Sequence, residues 1–171
     1  MSLNFVPDFY FEKFNDITAE FLAERGIRGV ILDIDNTLEP YEHDKPGDHV
    51  IAWLDSLKVI GIKACFVSNN NKERIEVFNK EIGLPAFYKS RKPFKKRLLQ
   101  AMSLMNTDKT NTLAIGDQIL TDVWAAHNAG IKAILVPPIN DKKDLFTRFK
   151  RLLEKPFMRK YKKRKAKAEK K

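Results

Sequence analysis

Cysteine is almost absent from this sequence, since Cys65 is the only one among 171 residues. An internal disulfide bond is therefore excluded, which is consistent with a chain that works in the reducing cytoplasm. Cys65 lies within an apolar run, which favours a small buried hydrophobic residue over a nucleophile.

Long apolar runs are absent too. No stretch of about 18 consecutive apolar residues occurs, so no transmembrane helix is predicted. The first residues include Asp8 and Glu12 among aromatic side chains and have no basic segment, so a secretory signal is not expected. Glycine-rich nucleotide-binding loops are missing as well, so nothing in the sequence supports the use of ATP. We therefore expect a cytoplasmic protein.

Positive charge is abundant but is confined to one end of the chain. The net charge is +10, and residues 155–171 contain ten Lys and Arg residues against one acidic residue, Glu169. The rest of the chain is nearly neutral and is long enough for one domain with a sizeable core. We predict an N-terminal aromatic arm and helix in 1–26, a main domain in 27–154 and a basic tail in 155–171.

The most informative stretch is a short apolar run, 30–32, that leads directly into Asp33 and Asp35. Such a run is typical of a strand buried on both faces of a parallel sheet. Side chains alternate along a strand, so Asp33 and Asp35 are expected to point to the same side. Two carboxylates this close are unfavourable unless a cation or a shared proton neutralises them. Taken alone, the pair is more typical of an acidic turn, so its interpretation depends on the rest of the chain.

Strand patterns alternate with amphipathic helix patterns about five times after residue 27. Helix starts are predicted at Thr18, at Asn70 with Glu73 three residues later, and at Pro93, and Pro156 is predicted to interrupt a C-terminal helix. This alternation predicts an α/β fold in which helices flank a parallel sheet. The expected strands cover 30–32, 62–67, 86–88, 112–115 and 132–136.

Four chemically useful residues lie at or just after the ends of the predicted strands: Asp33, Ser68, Lys92 and Asp117. In α/β proteins with parallel sheets, ligands bind beyond the carboxyl ends of the strands. We therefore expect all four residues on one edge of the sheet. Chance alone would rarely bring all four to the same edge.

The chemistry of this set is that of phosphoryl transfer. The carboxylates of Asp33, Asp35 and Asp117 suit a hard cation such as Mg²⁺. Asp122 either holds a metal-bound water or stabilises the start of a helix. One carboxylate can attack phosphorus to form an aspartyl-phosphate, and the second can protonate the leaving group. The candidate phosphate-binding residues are Ser68, Asn69 and Lys92.

Four motifs make the chain resemble a known superfamily. They are LDIDNTL at 32–38, VSN at 67–69, RKP at 91–93, and IGDQ at 115–118 followed by Thr121 and Asp122. In order and spacing these motifs resemble those of haloacid dehalogenase (HAD) superfamily phosphatases of subfamily IIIA, particularly the bacterial YqeG-type branch. The resemblance covers roughly residues 27–138 and implies a Rossmann-like fold with the first of the predicted strands at its centre.

The resemblance also implies a role for each motif residue. Asp33 would be the nucleophile and Asp35 the general acid and base. Mg²⁺ would be held by Asp33, the main-chain carbonyl of Asp35 and Asp117, with Asp122 assisting. The phosphoryl-binding residues would be Ser68 and Lys92.

No cap domain is expected over this edge of the sheet. Only 33 positions separate Asp35 from Ser68, and 24 separate Ser68 from Lys92. Each segment is long enough for one helix and one strand and leaves no room for an inserted domain. An open edge suits a bulky substrate, such as a lipid headgroup, a phosphoprotein or a nucleic-acid end. A neighbouring subunit would close it equally well.

The C-terminal segment bears on the choice of substrate. Apolar residues at helical spacing in 145–153 favour a helix packed on the domain, with a surface for anionic partners as the alternative. The basic tail is either a solvated segment or an attachment to anionic lipid, where each basic residue contributes about 1 kcal/mol. The positive charge of the tail would also favour binding to RNA, although no RNA-binding motif is present.

The chain is also more distantly similar to mitochondrial and plastid phosphatidylglycerophosphate phosphatases, which act at membranes. This similarity favours a function near a membrane. The leading hypothesis is a Mg²⁺-dependent phosphomonoester hydrolase, cytoplasmic and peripheral to the membrane, that acts on phosphatidylglycerophosphate. Two alternatives stay open: a ribosome- or RNA-associated factor on a HAD scaffold, and a soluble small-molecule phosphatase.

Overall fold

The computed structural model describes residues 5–140 and 145–168, and in the last segment it describes side chains for 154–166. The strands are β1 (Phe9–Tyr10), β2 (Gly29–Leu32), β3 (Lys63–Val67), β4 (Ala86–Phe87), β5 (Thr112–Gly116) and β6 (Lys132–Leu135). The helices are α1 (Ala19–Ala23), α2 (Asp48–Val59), α3 (Lys72–Asn79), α4 (Lys96–Met105), α5 (Trp124–Ala129) and α6 (Leu145–Ala168). A 3₁₀ turn covers Phe14–Asp16, and a π-helical turn covers Ile119–Val123.

The six strands form one parallel sheet in the order β1-β6-β5-β2-β3-β4. β2 lies inside the sheet because β5 and β3 pair with its two edges, and all four of its residues are buried. Helices α1, α2 and α3 pack with Val30 and Leu32 on one face, and α4 and α5 pack with Ile31 on the other. The predicted α/β fold, with the first of the five predicted strands at its centre, is confirmed.

The sixth strand, β1, comes from the N-terminal arm and was not predicted. It pairs in parallel with β6, with Phe9 opposite Ile134. Farther along the arm, Phe14 and Ile17 are buried, and Trp53 donates a hydrogen bond through Nε1 to the Ile17 carbonyl at 2.8 Å. The arm is therefore packed against the core, and the boundary at residue 26 stays a prediction.

The starts of the first and third helices test the capping predictions. Thr18 caps α1 as predicted, since its side chain accepts a hydrogen bond from the main chain. The predicted cap of α3 is wrong by one residue, because Asn71 accepts from the Arg74 N–H at 2.9 Å. Asn70 is used elsewhere, since its Nδ2 donates to Asp35 at 3.1 Å.

Both proline-based predictions are wrong. Pro93 precedes α4 instead of starting it, since that helix begins at Lys96. α6 continues through Pro156, although proline removes a hydrogen bond from the interior of a helix. Contacts on both sides of the proline hold the helix, because Glu154 accepts from the main chain of the π-helical turn and Phe157 packs on the core.

The edge at the carboxyl ends of the strands carries no inserted domain within the described residues. Segments 33–47 and 68–71 connect β2 to α2 and β3 to α3 directly, which confirms the capless fold. α6 is the longest helix described and is rich in lysine and arginine. None of the described helices combines the length and the apolar character that crossing a membrane requires.

Candidate active site

The candidate site is built where β2 and β5 end. Asp33 follows β2 directly, and its main-chain N–H donates to the Ile115 carbonyl of β5 at 3.0 Å. Asp117 follows β5 directly, so the parallel register brings the two aspartates to the same edge of the sheet. Both are nearly buried, with 9% and 2% of their surfaces exposed.

Asp122 completes an acidic cluster at this edge. Oxygen atoms of Asp33, Asp117 and Asp122 all lie within 4.8 Å of one another. The π-helical turn after β5 carries Asp122, and the main-chain N–H of Gln118 donates to its Oδ2 at 3.0 Å. A Cβ atom on Gly116 would overlap the Asp122 carboxyl group. The cluster therefore depends on glycine at the end of β5.

Lys92 is the cation of the cluster. Its Nζ lies 2.8 Å from Asp33 Oδ1 and 2.6 Å from Asp122 Oδ1, and only 6% of its side chain is exposed. Burial lowers the pKa of Lys92, but the two carboxylates outweigh burial and raise this pKa above its ordinary value. Burial also raises the pKa of Asp33 to about 7, against the lowering effect of Lys92.

The charges of this cluster do not balance. Three carboxylates face one ammonium group, so the ionised cluster carries two excess negative charges. Carboxylate oxygens are the ligands that hard divalent cations prefer, and a divalent ion would cancel that excess. The residues present therefore fit a site for a divalent cation beside Lys92.

Asp35 is not a member of this cluster and is held by two other residues. Arg74 contacts its Oδ1 through Nε at 3.0 Å and Nη2 at 2.9 Å, and Asn70 donates to its Oδ2 at 3.1 Å. Both carboxylate oxygens are thereby fixed, and the Arg74 side chain is only 8% exposed. Sequence reasoning missed Arg74, whose only signal is its position in the first turn after the Ser68 motif.

Ser68 and Asn69 follow β3 but make different contacts. Ser68 is buried, and its Oγ accepts a hydrogen bond from the Asn70 N–H at 3.1 Å. Asn69 Oδ1 accepts from the Lys92 N–H at 2.7 Å and from Ser90 Oγ at 2.8 Å. Asn69 Nδ2 donates to the Lys92 carbonyl at 3.2 Å. The Asn69 side chain therefore holds the loop that carries Lys92.

Known proteins are similar to this chain in sequence. Residues 89–145 match the model of the HAD-hydrolase-like family. A curated relative, the probable phosphatase YqeG of Bacillus subtilis, is 39% identical over 150 residues, which cover 88% of this chain and 87% of the relative. The chain belongs to the YqeG-type HAD phosphatases.

Solved structures share the fold of this HAD phosphatase at low sequence identity. The cobalt-bound deoxy-D-mannose-octulosonate 8-phosphate phosphatase of Haemophilus influenzae is 15% identical, with a TM-score of 0.56 over 67% of this chain and 80% of its own. The corresponding enzyme of Moraxella catarrhalis is 18% identical, with a TM-score of 0.53 over 71% and 72% of the two chains. At these identities the likeness concerns the fold.

A second polar cluster shapes the loop between β2 and α2 of this HAD phosphatase. The buried carboxylate of Glu39 accepts a hydrogen bond from the Gly47 N–H at 2.8 Å. It also lies 3.1 Å from His43 Nδ1 and 3.4 Å from His49 Nε2. Glu39 forms an isolated β-bridge with Asp35, so these contacts hold the loop that follows the site. Sequence reasoning missed this role of Glu39.

Proposed function

We propose that this HAD phosphatase hydrolyses phosphate monoesters with the help of Mg²⁺ and through an aspartyl-phosphate on Asp33. The observation that carries the proposal is the joint position of Asp33, Asp117, Asp122 and Lys92. Oxygen ligands for a hard cation and one buried ammonium group at the same place suit a phosphoryl group, whose charge both would stabilise.

The proposed reaction has two steps. In the first, an oxygen of the Asp33 carboxylate attacks phosphorus, the bond from phosphorus to the alcohol oxygen breaks, and Asp35 gives a proton to the departing alcohol. In the second, water attacks the aspartyl-phosphate, Asp35 accepts the proton from that water, and the bond from phosphorus to Asp33 breaks. Inorganic phosphate leaves, and both aspartates return to their starting states.

The neighbouring residues support this assignment of roles. Arg74 fixes the orientation of Asp35 through two nitrogen contacts of about 3 Å, so that its proton can be delivered in one direction. Lys92 and Ser68 would bind the oxygens of the phosphoryl group. Asn69 keeps the main chain of Lys92 in place.

The divalent ion would be held by Asp33, Asp117 and Asp122 together with the main-chain carbonyl of Asp35. When bound, Mg²⁺ supplies positive charge that stabilises the phosphoryl group during transfer. The Moraxella enzyme was solved with magnesium and phosphate, and the Haemophilus enzyme with cobalt, which agrees with a divalent ion in this fold.

A lipid phosphate, phosphatidylglycerophosphate, is the substrate that we propose. The uncapped edge of the sheet leaves room for a headgroup that remains anchored in a membrane. The exposed lysine and arginine side chains of α6 would attract an anionic bilayer, each by about 1 kcal/mol near the surface.

The test is release of inorganic phosphate from phosphatidylglycerophosphate in mixed micelles, with Mg²⁺ or with a chelator. We expect turnover with Mg²⁺ and its loss on chelation. Turnover of sugar and nucleotide phosphates alone would favour a soluble small-molecule phosphatase. Salt-sensitive RNA binding without turnover of any phosphate ester would favour an RNA-associated factor and contradict the proposal.

A further inference from the structure

A cavity of about 410 Å³ lies beside the acidic cluster, between the end of β6 and α6. Asp117 lines it on the side of the candidate active site, and Pro137 and Pro138 line it after β6. The wall formed by α6 carries three basic residues, Lys155, Arg159 and Lys162, together with Glu154 and Met158. We call this cavity the α6 pocket.

The basic wall is held in place by contacts of α6 with the body of the protein. Glu154, the acidic residue of this wall, accepts a hydrogen bond through Oε1 from the Ile119 N–H at 2.9 Å, and both residues line the pocket. Farther along the helix, the Phe157 ring lies 4.9 Å from that of Phe5, and Arg164 donates to the Pro7 carbonyl at 2.7 Å. The wall is therefore a fixed part of the site region.

The spacing of the three cations puts them on one stripe of the helix. Lys155, Arg159 and Lys162 stand at positions i, i+4 and i+7, which share one face. All three are exposed, and none forms an ion pair with an acidic side chain of the described residues. Their positive charge is thus available to a ligand in the pocket.

The remaining lining of the α6 pocket is largely apolar. Tyr10, Leu135 and Met158 contribute to it, together with the two prolines after β6. An apolar stretch between Asp117 and the basic wall suits the carbon skeleton of an alcohol whose two ends carry different anionic groups.

We propose that the α6 pocket is a second anion site, which binds a phosphodiester on the alcohol part of the substrate while its phosphomonoester lies at Asp33. This inference rests on the proposed phosphatase reaction, because the monoester end defines the side of the pocket from which the substrate enters. The basic wall then selects substrates that carry two phosphates over substrates that carry one.

The experiment compares three substrates on the full chain with Mg²⁺. Glycerophosphoglycerol phosphate is water-soluble and carries a phosphomonoester and a phosphodiester, and p-nitrophenyl phosphate carries the monoester alone. Phosphatidylglycerophosphate in mixed micelles presents the doubly phosphorylated headgroup on a lipid, so it separates substrate recognition from attraction to a surface.

The informative variant is Arg159→Gln/Lys162→Gln, and its matched control is Lys160→Gln/Lys163→Gln. The control removes two charges from the same helix at exposed residues that do not line the pocket. We expect KM for glycerophosphoglycerol phosphate to rise by about tenfold or more in the pocket variant, with kcat little changed. Kinetics with p-nitrophenyl phosphate, and both substrates in the control, should stay within about twofold.

A variant that keeps the positive charges tests whether charge alone accounts for the change in KM. Arg159→Lys/Lys162→Arg keeps the charge and should restore KM to within about threefold of the wild-type value. If the double glutamine variant does not fold, Lys155→Gln alone is expected to show the same selective rise in KM at smaller size. Unchanged p-nitrophenyl phosphate turnover serves as the measure of correct folding.

Three outcomes would overturn the second anion site. They are an unchanged KM in the pocket variant, an equal rise with p-nitrophenyl phosphate or in the control, and an effect confined to the micellar lipid. In each case the wild-type enzyme still hydrolyses monoesters, so the proposed function survives. Absence of wild-type turnover with every monoester would overturn both proposals.

Discussion

At the scale of single residues, the proposal depends most on Asp33. Asp33→Asn replaces the attacking carboxylate by an amide of the same size, so kcat should fall by about a thousandfold or more. Phosphate release measures kcat, and a thermal unfolding curve close to that of the wild type shows that the fold is intact. Retained turnover would mean that another group attacks phosphorus.

Arg74 provides the second prediction at this scale. Arg74→Lys keeps the charge but loses the two-nitrogen contact with Asp35 Oδ1, so kcat should fall by about 10- to 100-fold, with a smaller change in KM. Arg28→Lys, at an exposed position, is the control. Equal kinetics in the two variants would argue against a positioning role for Arg74.

Single residues also mark the limit of what the sequence predicts. The motif aspartates were found because their residue types and spacing identify them. Arg74 was missed, because an arginine in the first turn of a helix is usually solvent-exposed and only the fold brings this one to Asp35. The side-chain contacts of Asn69 depend on how the loop at Lys92 folds back, which no local pattern reveals.

At the scale of elements, β1 depends on the half-buried carboxylate of Asp8, the residue just before it. Asp8 Oδ2 lies 2.9 Å from His127 Nε2 of α5 and accepts a hydrogen bond from the Ala133 N–H of β6 at 2.9 Å. Burial raises the pKa of Asp8, but the hydrogen bonds to His127 and Ala133 outweigh burial and lower it below 3.8. The ionised form of Asp8 is therefore the one that stabilises this edge of the sheet.

The corresponding prediction concerns acid stability. Because the folded pKa of Asp8 is depressed, its contribution is fully present above about pH 4 and is lost as the pH falls through the folded value. Asp8→Asn should lower the free energy of unfolding by about 1–3 kcal/mol at pH 7. Urea unfolding at pH 7 and at pH 3 gives the free energy of unfolding of the wild type and of the variant. A difference between the two proteins that does not shrink at pH 3 would contradict this account.

Elements differ in how well the sequence predicts them, for a physical reason. Strands β2, β3, β5 and β6 carry runs of four or five residues that are mostly buried and pack on both faces, so composition alone marks them, whereas β4 is as short and as half-buried as β1. β1 has only two residues, each half-buried, and exists because β6 offers a free edge. α6 runs through Pro156 because long-range contacts outweigh the local preference against proline in a helix interior.

At the scale of the whole molecule, charge is divided unevenly over the surface. α6 carries Lys160 and Lys163 as exposed residues outside the α6 pocket. Lys160→Gln/Lys163→Gln should weaken binding to anionic phosphatidylglycerol vesicles, measured by co-sedimentation, by about 30-fold, since about 1 kcal/mol is lost per charge. Binding of the wild type should also weaken with salt.

Neutral phosphatidylcholine vesicles are the control for this measurement. Neither protein should bind them appreciably if the attraction is electrostatic. Binding to anionic vesicles that is equal in the variant and the wild type, or insensitive to salt, would mean that this side of α6 does not meet a membrane.

The pairing of β1 with β6 has a consequence for how the protein is made. The partner of Phe9 is Ile134, so β1 cannot join the sheet until β6 has left the ribosome. Until then the aromatic segment around β1 stays unpaired, at a stage when exposed apolar segments aggregate. Nascent chains of this protein should therefore need a chaperone early, and truncated products that end before β6 should be insoluble.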